Sequence, residues 1–245
     1  MHLSPSRCGN QTRGKTTRWI AERLIAILGD NKSIYSLFSI FFFSDSMYRC
    51  LRILWKRLPN SRKEYFTYFD SVWFYMYNKQ THREKVLRWI KGKDIFSKKY
   101  VIVPIVCWGH WFLLIFCHFG ESFSSATDTP CMLLLDSLAT ADPKRIEPEI
   151  RKFVADIFYS QGRSEDVDNV YNMPLLVPKV PQQPNGEECG AYVLYFIQLF
   201  ISRIPRNFKI DHYPYDMHLN WFTHEAVVRF IDELESLKDC PEALS

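Results

Sequence analysis

The sequence predicts an α+β fold with a central sheet packed by helices, and three observations predict it. Short runs rich in β-branched and aromatic residues cluster in the middle of the chain. A run that is apolar nearly all round opens at Cys189. Segments with apolar residues at helical spacing lie on either side of these. Strands first and helices afterwards, within a chain of 245 residues, are the order of an α+β domain.

Residues 1–50 read as a basic N-terminal arm, partly ordered or atypical, and 51–245 as one domain of about 200 residues. Within the arm, Ile20, Leu24, Ile25 and Leu28 recur at helical spacing from Trp19, and Gly29 is a suitable stop. Residues 31–48 are rich in Ser, Phe and Ile but follow no clear period. Helices are predicted near 49–58 and over 81–92, where Val86, Leu87 and Ile90 share a face. The three apolar runs are 100–106, 111–119 and 131–136, near-continuous strands of the kind covered on both faces. Residues 120–130 form a polar loop between the second and third.

Ile146, Ile150, Phe153, Val154, Ile157 and Phe158 then define one face of an amphipathic helix. Asp142-Pro143 suits its start, and Pro148 predicts a later start or a kink. A short strand is predicted near 174–180, a buried central helix over 189–201 and a final amphipathic helix near 221–238.

Composition narrows the function. With 47% hydrophobic and 16% aromatic residues the chain can fill a core. The longest apolar run, around Ile40–Phe43, is about ten residues, short of the roughly 20 that cross a bilayer. The first residues lack the layout of a secretory signal. A soluble intracellular monomer is expected, in the nucleus and/or cytoplasm, with no membrane partner. Seven scattered cysteines without a CxxC pair argue against a disulfide framework and against structural zinc.

The net charge of +4 hides a split. Residues 1–100 carry 20 Lys+Arg against 7 Asp+Glu, and residues 101–245 carry 11 against 20. A basic half suits an acidic protein partner; no nucleic-acid motif accompanies it, and nucleic acid is not expected as a partner.

Chemistry concentrates at the ends of the apolar elements. Cys189 follows the turn-prone Pro184-Asn185-Gly186-Glu187-Glu188 and opens the buried helix, where unpaired N–H groups and the helix dipole favour a thiolate. On position alone a buried structural cysteine is the better reading. His110 lies in Trp108-Gly109-His110-Trp111 between two strands, and Asp136 closes a strand of leucines. A carboxylate there is costly unless paired, and pairing with an imidazole N–H would orient a base. Gln183 adds an amide donor suited to an oxyanion. Together these supply a nucleophile, a base and an orienter. A metal site from Asp211, His212, Asp216 and His218 lacks helical ligand spacing, and neither metal nor cofactor is expected.

Trp-Gly-His-Trp, Leu-Asp-Ser and Gln-Gln-Pro-Asn-Gly-Glu-Glu-Cys-Gly, in this order, resemble the catalytic segments of the ubiquitin-like-protein (SUMO) proteases, relatives of the adenovirus protease. The spacings of 26 residues from His110 to Asp136 and 53 from Asp136 to Cys189 fit as well. The resemblance covers roughly residues 60–238. It implies a papain-like cysteine protease fold with circularly permuted chain order (His, Asp, Cys) and a central mixed sheet. It further implies His110 as base, Asp136 as orienter, Cys189 as nucleophile and Gln183 as oxyanion donor. Trp111 matches the tryptophan that packs on the modifier's C-terminal diglycine. The implied activity is thiol proteolysis of a ubiquitin-like modifier, SUMO above all, for precursor processing or deconjugation. A modifier-binding relative without turnover and an acyltransferase of similar fold are the alternatives. Two departures stand out: the family's N-terminal Trp-Leu-Asn-Asp is only approximated by Arg18–Glu22, and Glu188 stands where Asp is common.

Overall fold

The structure, a computed structural model, describes residues 47–138, 142–204 and 208–238. The expected arm over 1–50, its helix over 19–28, nearly all of the 31–48 segment and the Arg18–Glu22 approximation lie outside the described residues, apart from positions 47–50.

The described chain opens in helix α1 (47–57), followed by the single turn α2 (Asn60–Lys63) and strand β1 (Phe66–Tyr68). Helices α3 (Trp73–Asn78) and α4 (Arg83–Lys91) form a hairpin ahead of strands β2 (Tyr100–Cys107), β3 (His110–Cys117) and β4 (Cys131–Leu135). Helices α5 (Glu147–Ser160) and α6 (Val167–Asn172) lead to the two-residue strand β5 (Leu175–Leu176). Helix α7 (Cys189–Arg203) and helix α8 (His224–Lys238) complete it.

The sheet is mixed. Its order follows the chain from β1 to β5, with β1–β2 and β4–β5 parallel and the central pairs antiparallel. One face, including Val101, Val103, Ile105, Phe112, Leu114, Phe116, Met132 and Leu134, shares a core with α3, α4 and α5. The other receives α7, which packs on β3 and brings Phe200 against Tyr100 and Phe66 with ring centroids 5.4 and 6.3 Å apart. Coverage on both faces is why β2, β3 and β4 are apolar at successive positions rather than alternate ones.

Phe153 of α5 is the hub of the first face, 4.6 Å from Tyr77, 5.3 Å from Phe74 and 6.2 Å from Phe69 between ring centroids. Pro104 sits inside β2 without disrupting it. The Ile102 carbonyl accepts from Phe69 N–H at 2.9 Å, so Pro104, two residues on, directs its missing donor to the same side. The β1 register stops at Ile102, and among the described residues no partner strand faces Pro104 there.

Several expected boundaries shift for local reasons. Helix α5 starts at Glu147 with Pro148 in its first turn, the later start that Pro148 predicts. Strand β5 covers only Leu175–Leu176, because Pro174, Pro178 and Pro181 cannot donate to a ladder. The final helix starts at His224, after Thr223. Ahead of it Trp221 stacks on Phe196 at 5.9 Å instead of joining the helix. Strand β3 ends at Cys117 because His118 turns left-handed, with φ 56°, and gives its Nε2 to the Phe208 carbonyl at 2.9 Å.

Candidate active site

The site is assembled where β3, β4 and the start of α7 meet. A two-residue turn, Trp108-Gly109, joins β2 to β3, with Cys107 opposite His110. Both turn residues have positive φ, 53° and 76°, as the tight hairpin turn that matches strand twist requires. Glycine adopts that conformation freely; tryptophan there costs about 1–2 kcal/mol. His110 is thereby fixed as the first residue of β3, its ring edge-on to Phe112 with centroids 4.6 Å apart.

The register places Leu113 opposite Leu135, so Asp136 falls diagonally across from His110 and on the same face. His110 Nε2 and Asp136 Oδ1 are 2.7 Å apart. The same oxygen accepts the Leu138 N–H at 2.9 Å, so this buried carboxylate ends an apolar strand with two partners.

Cys189 is the first residue of α7 and is 6% exposed. The His110 and Cys189 side chains also interact directly, by hydrogen bond and by charge. Burial pushes the Cys189 thiol up. The His110 hydrogen bond, the Trp111 and Gly190 N–H groups and the His110 charge outweigh it and leave the thiol below its ordinary value. Burial pulls His110 down, but hydrogen bonds to Asp136 and Cys189, together with their charges, raise it to about 9. The two shifts point the same way, toward a thiolate beside an imidazolium.

Gln183 is 7% exposed and is held at both ends. Its N–H donates to the Ser137 carbonyl at 2.8 Å, its Oε1 accepts from Ser137 Oγ at 2.7 Å and its Nε2 donates to the Asn185 carbonyl at 2.5 Å. The neighbouring Gln182 Nε2 donates to the Asp136 carbonyl at 3.1 Å. The segment that leads into Cys189 is therefore stitched directly to the segment that carries Asp136.

Trp111 is 5% exposed and packs beside the first turn of α7, where a Cβ added at Gly190 would lie 3.7 Å from its ring. Glu188 Oε2 lies 3.6 Å from His224 Nδ1. Tyr192 Oη stands 3.2 Å from that same nitrogen and donates to the Gln182 carbonyl at 3.3 Å, tying the loop ahead of Cys189 to α8.

The structure thus brings His110, Asp136 and Cys189 into one hydrogen-bonded chain, with Gln183 on the segment leading to Cys189 and Trp111 beside it. Asp211, His212, Asp216 and His218 are all exposed, and among the described residues no three His, Cys, Asp or Glu side chains gather as a metal would require. The partner residue that sequence reasoning passed over is Ser137. It directly follows the strand-closing Asp136 and is buried to 1% exposure, and its glutamine partner lies too far along the chain for the sequence to pair them.

Comparison with known proteins agrees with this architecture. Ubiquitin-like-specific protease 1D of Arabidopsis thaliana is 32% identical over 159 residues, which cover 58% of this chain and 27% of that protein. The Arabidopsis thaliana probable ubiquitin-like-specific protease 2A is 29% identical over 164 residues, 63% of this chain and 21% of that protein. The chain thus spans about a quarter of the length of these curated relatives. A solved structure of the SUMO protease Ulp1, with its catalytic cysteine oxidised to a sulfinic acid, superposes with a TM-score of 0.55. The two are 21% identical, and the match covers 81% of this chain and 77% of that one, which shows a shared fold. Residues 54–236 match the C-terminal catalytic domain of the Ulp1 protease family, and the chain belongs to that family.

Proposed function

We propose that this chain is a cysteine protease that cleaves after the C-terminal diglycine of a ubiquitin-like modifier, SUMO first among them, the modifier named for the Ulp1 structure that shares its fold. The observation that carries the reading is the His110 ring, hydrogen-bonded to Asp136 at 2.7 Å and to the Cys189 side chain.

In acylation the Cys189 thiolate attacks the carbonyl carbon of the modifier's last glycine. The carbonyl oxygen takes the negative charge and is held by the Cys189 N–H and Gln183 Nε2. The tetrahedral adduct collapses, the C–N bond breaks and the His110 imidazolium gives its proton to the departing amine. Neutral His110 then takes a proton from water, which attacks the thioester. The modifier leaves as a free acid and the thiolate returns. Asp136 holds the imidazole in the tautomer and orientation both steps need. Trp111, beside the start of α7, offers a flat wall to a diglycine that lacks side chains. The working form is an intracellular monomer acting on modifier precursors or conjugates; among the described residues no helix is long and apolar enough to cross a membrane.

The decisive experiment uses SUMO and ubiquitin, each bearing a C-terminal electrophile. Covalent capture of SUMO at Cys189, lost in Cys189→Ala, is expected. Capture of ubiquitin instead would reassign the modifier. Tight binding of both without capture would make the chain a binding relative.

A further inference from the structure

We infer that Ser137 is a positioning residue: its hydroxyl sets the orientation of the Gln183 side-chain amide, so that an N–H rather than the carbonyl oxygen faces the oxyanion. The inference rests on the reading of Gln183 as the oxyanion donor.

Glutamine is an ambiguous oxyanion ligand. One end of its amide donates and the other accepts, and turning the amide over would put a lone pair against the developing negative charge. Something must define which end is presented. Here two contacts do. The Asn185 carbonyl can only accept, so the atom 2.5 Å from it must be Nε2. Ser137 Oγ then meets Oε1 at 2.7 Å and donates to it. The two assignments agree, and one amide hydrogen remains uncommitted by them.

Two contacts define a plane where one leaves an axis. With the Asn185 bond alone, the amide is free to rotate about the Nε2···O line, and the remaining hydrogen has no single direction. The Ser137 bond removes that freedom before substrate arrives, as a donor that must not reorganise during reaction requires. Ser137 is suited to the task because its own backbone is part of the site: it follows Asp136, and its carbonyl accepts the Gln183 N–H at 2.8 Å. Orienter and oxyanion donor are thus held by adjacent residues, both buried. Removing the hydroxyl leaves the main-chain bond in place, so Ser137→Ala separates aiming the amide from anchoring the loop.

The test is a double-mutant cycle on hydrolysis of a full-length SUMO fused to a fluorogenic amine, with kcat normalised to the fraction of chains captured by the SUMO electrophile. Ser137→Ala should lower kcat about 10-fold at unchanged KM, and Gln183→Ala on the order of 10²-fold. The double variant should be no slower than Gln183→Ala alone, because an absent amide cannot be misdirected. Iodoacetamide alkylation of Cys189 should keep its rate and pH profile in Ser137→Ala, since the thiolate–imidazolium pair is untouched. Wild-type kcat in Ser137→Ala, losses that multiply in the double variant, or slowed alkylation would each overturn the inference. If Gln183→Ala alone leaves kcat unchanged, the oxyanion reading of Gln183 fails and the role of Ser137 falls with it.

Discussion

Asp136→Asn removes the charge facing His110 Nε2 while keeping the side chain's size. In the native protein the imidazole stands at about 9 against an ordinary 6.5, the contacts with Asp136 being foremost among those that raise it. A raised base is protonated below its pKa, so the imidazolium proposed to protonate the leaving amine is lost as pH rises through about 9. The lower limit belongs to Cys189, whose thiolate is lost as pH falls through its lowered value. Activity should therefore plateau between the two, with its upper edge near 9. Without the Asp136 charge the upper edge moves down. A full return to 6.5 would cut the imidazolium fraction about 30-fold at pH 8, from about 0.9 to about 0.03, and about 4-fold at pH 7. The Cys189 thiolate still favours the charged ring, so these figures bound the effect of protonation from above. Misorientation of the ring adds a loss that does not depend on pH, up to roughly 10⁴-fold overall in the serine analogue. The assay is kcat/KM for SUMO fused to a fluorogenic amine, measured across about pH 5–10. An upper limb that stays near 9 in Asp136→Asn would refute the argument that Asp136 holds the proton on His110.

Cys189→Ala should abolish hydrolysis while retaining SUMO binding by titration calorimetry, and turnover by this variant would remove the nucleophile assignment. Phe153→Ala should destabilise the fold by about 3–5 kcal/mol, because the ring is fully buried among Phe69, Phe74 and Tyr77. Urea unfolding measures it, and a loss under about 1 kcal/mol would contradict the packing described. Reversing charge at Arg83, Lys85, Arg88 and Lys91 should lower kcat/KM for full-length SUMO at low salt and spare a short diglycine peptide. Helix α4 covers the sheet face opposite α7, so the effect should act through steering and fade as exposed charges are screened beyond about 10 Å at 0.1 M. Equal salt dependence for both substrates would leave α4 as a solvated face.

Much of this was legible in the residues. Strands β2, β3 and β4 announce themselves by β-branched and aromatic runs, and α5 and α7 by their periodicity and apolar length. His110, Asp136 and Cys189 each stand at the end of such an element, where a polar group draws notice. What escaped was short or was defined by partners. Helices α2, α3 and α6 span four, six and six residues, and β1 spans three, too few for a period to show. They exist because their side chains fill a surface already made: Phe74 and Tyr77 pack on Phe153, and β1 adds to an edge that β2 offers. The α6 end depends on Arg151, which donates to the Val170 and Met173 carbonyls at 2.8 and 3.1 Å from another helix. Ser137 escaped because a serine after an aspartate carries no mark of the glutamine it meets 46 residues later.

The Trp108-Gly109 turn has a consequence for how this chain can be altered. One residue inserted at that turn would leave the β3–β4 register in place but would replace the two-residue hairpin that fixes His110 as the first residue of β3 and so aims its ring at Asp136. Length at this hairpin is therefore frozen, whatever the residues. The 121–129 loop, at the far end of β3, aims no such side chain, and Ala126 and Thr127 are exposed. A reporter, an affinity handle or a whole guest domain grafted after Ala126 would leave the catalytic register intact. In a library of variants, insertions should accumulate there and vanish between Cys107 and His110.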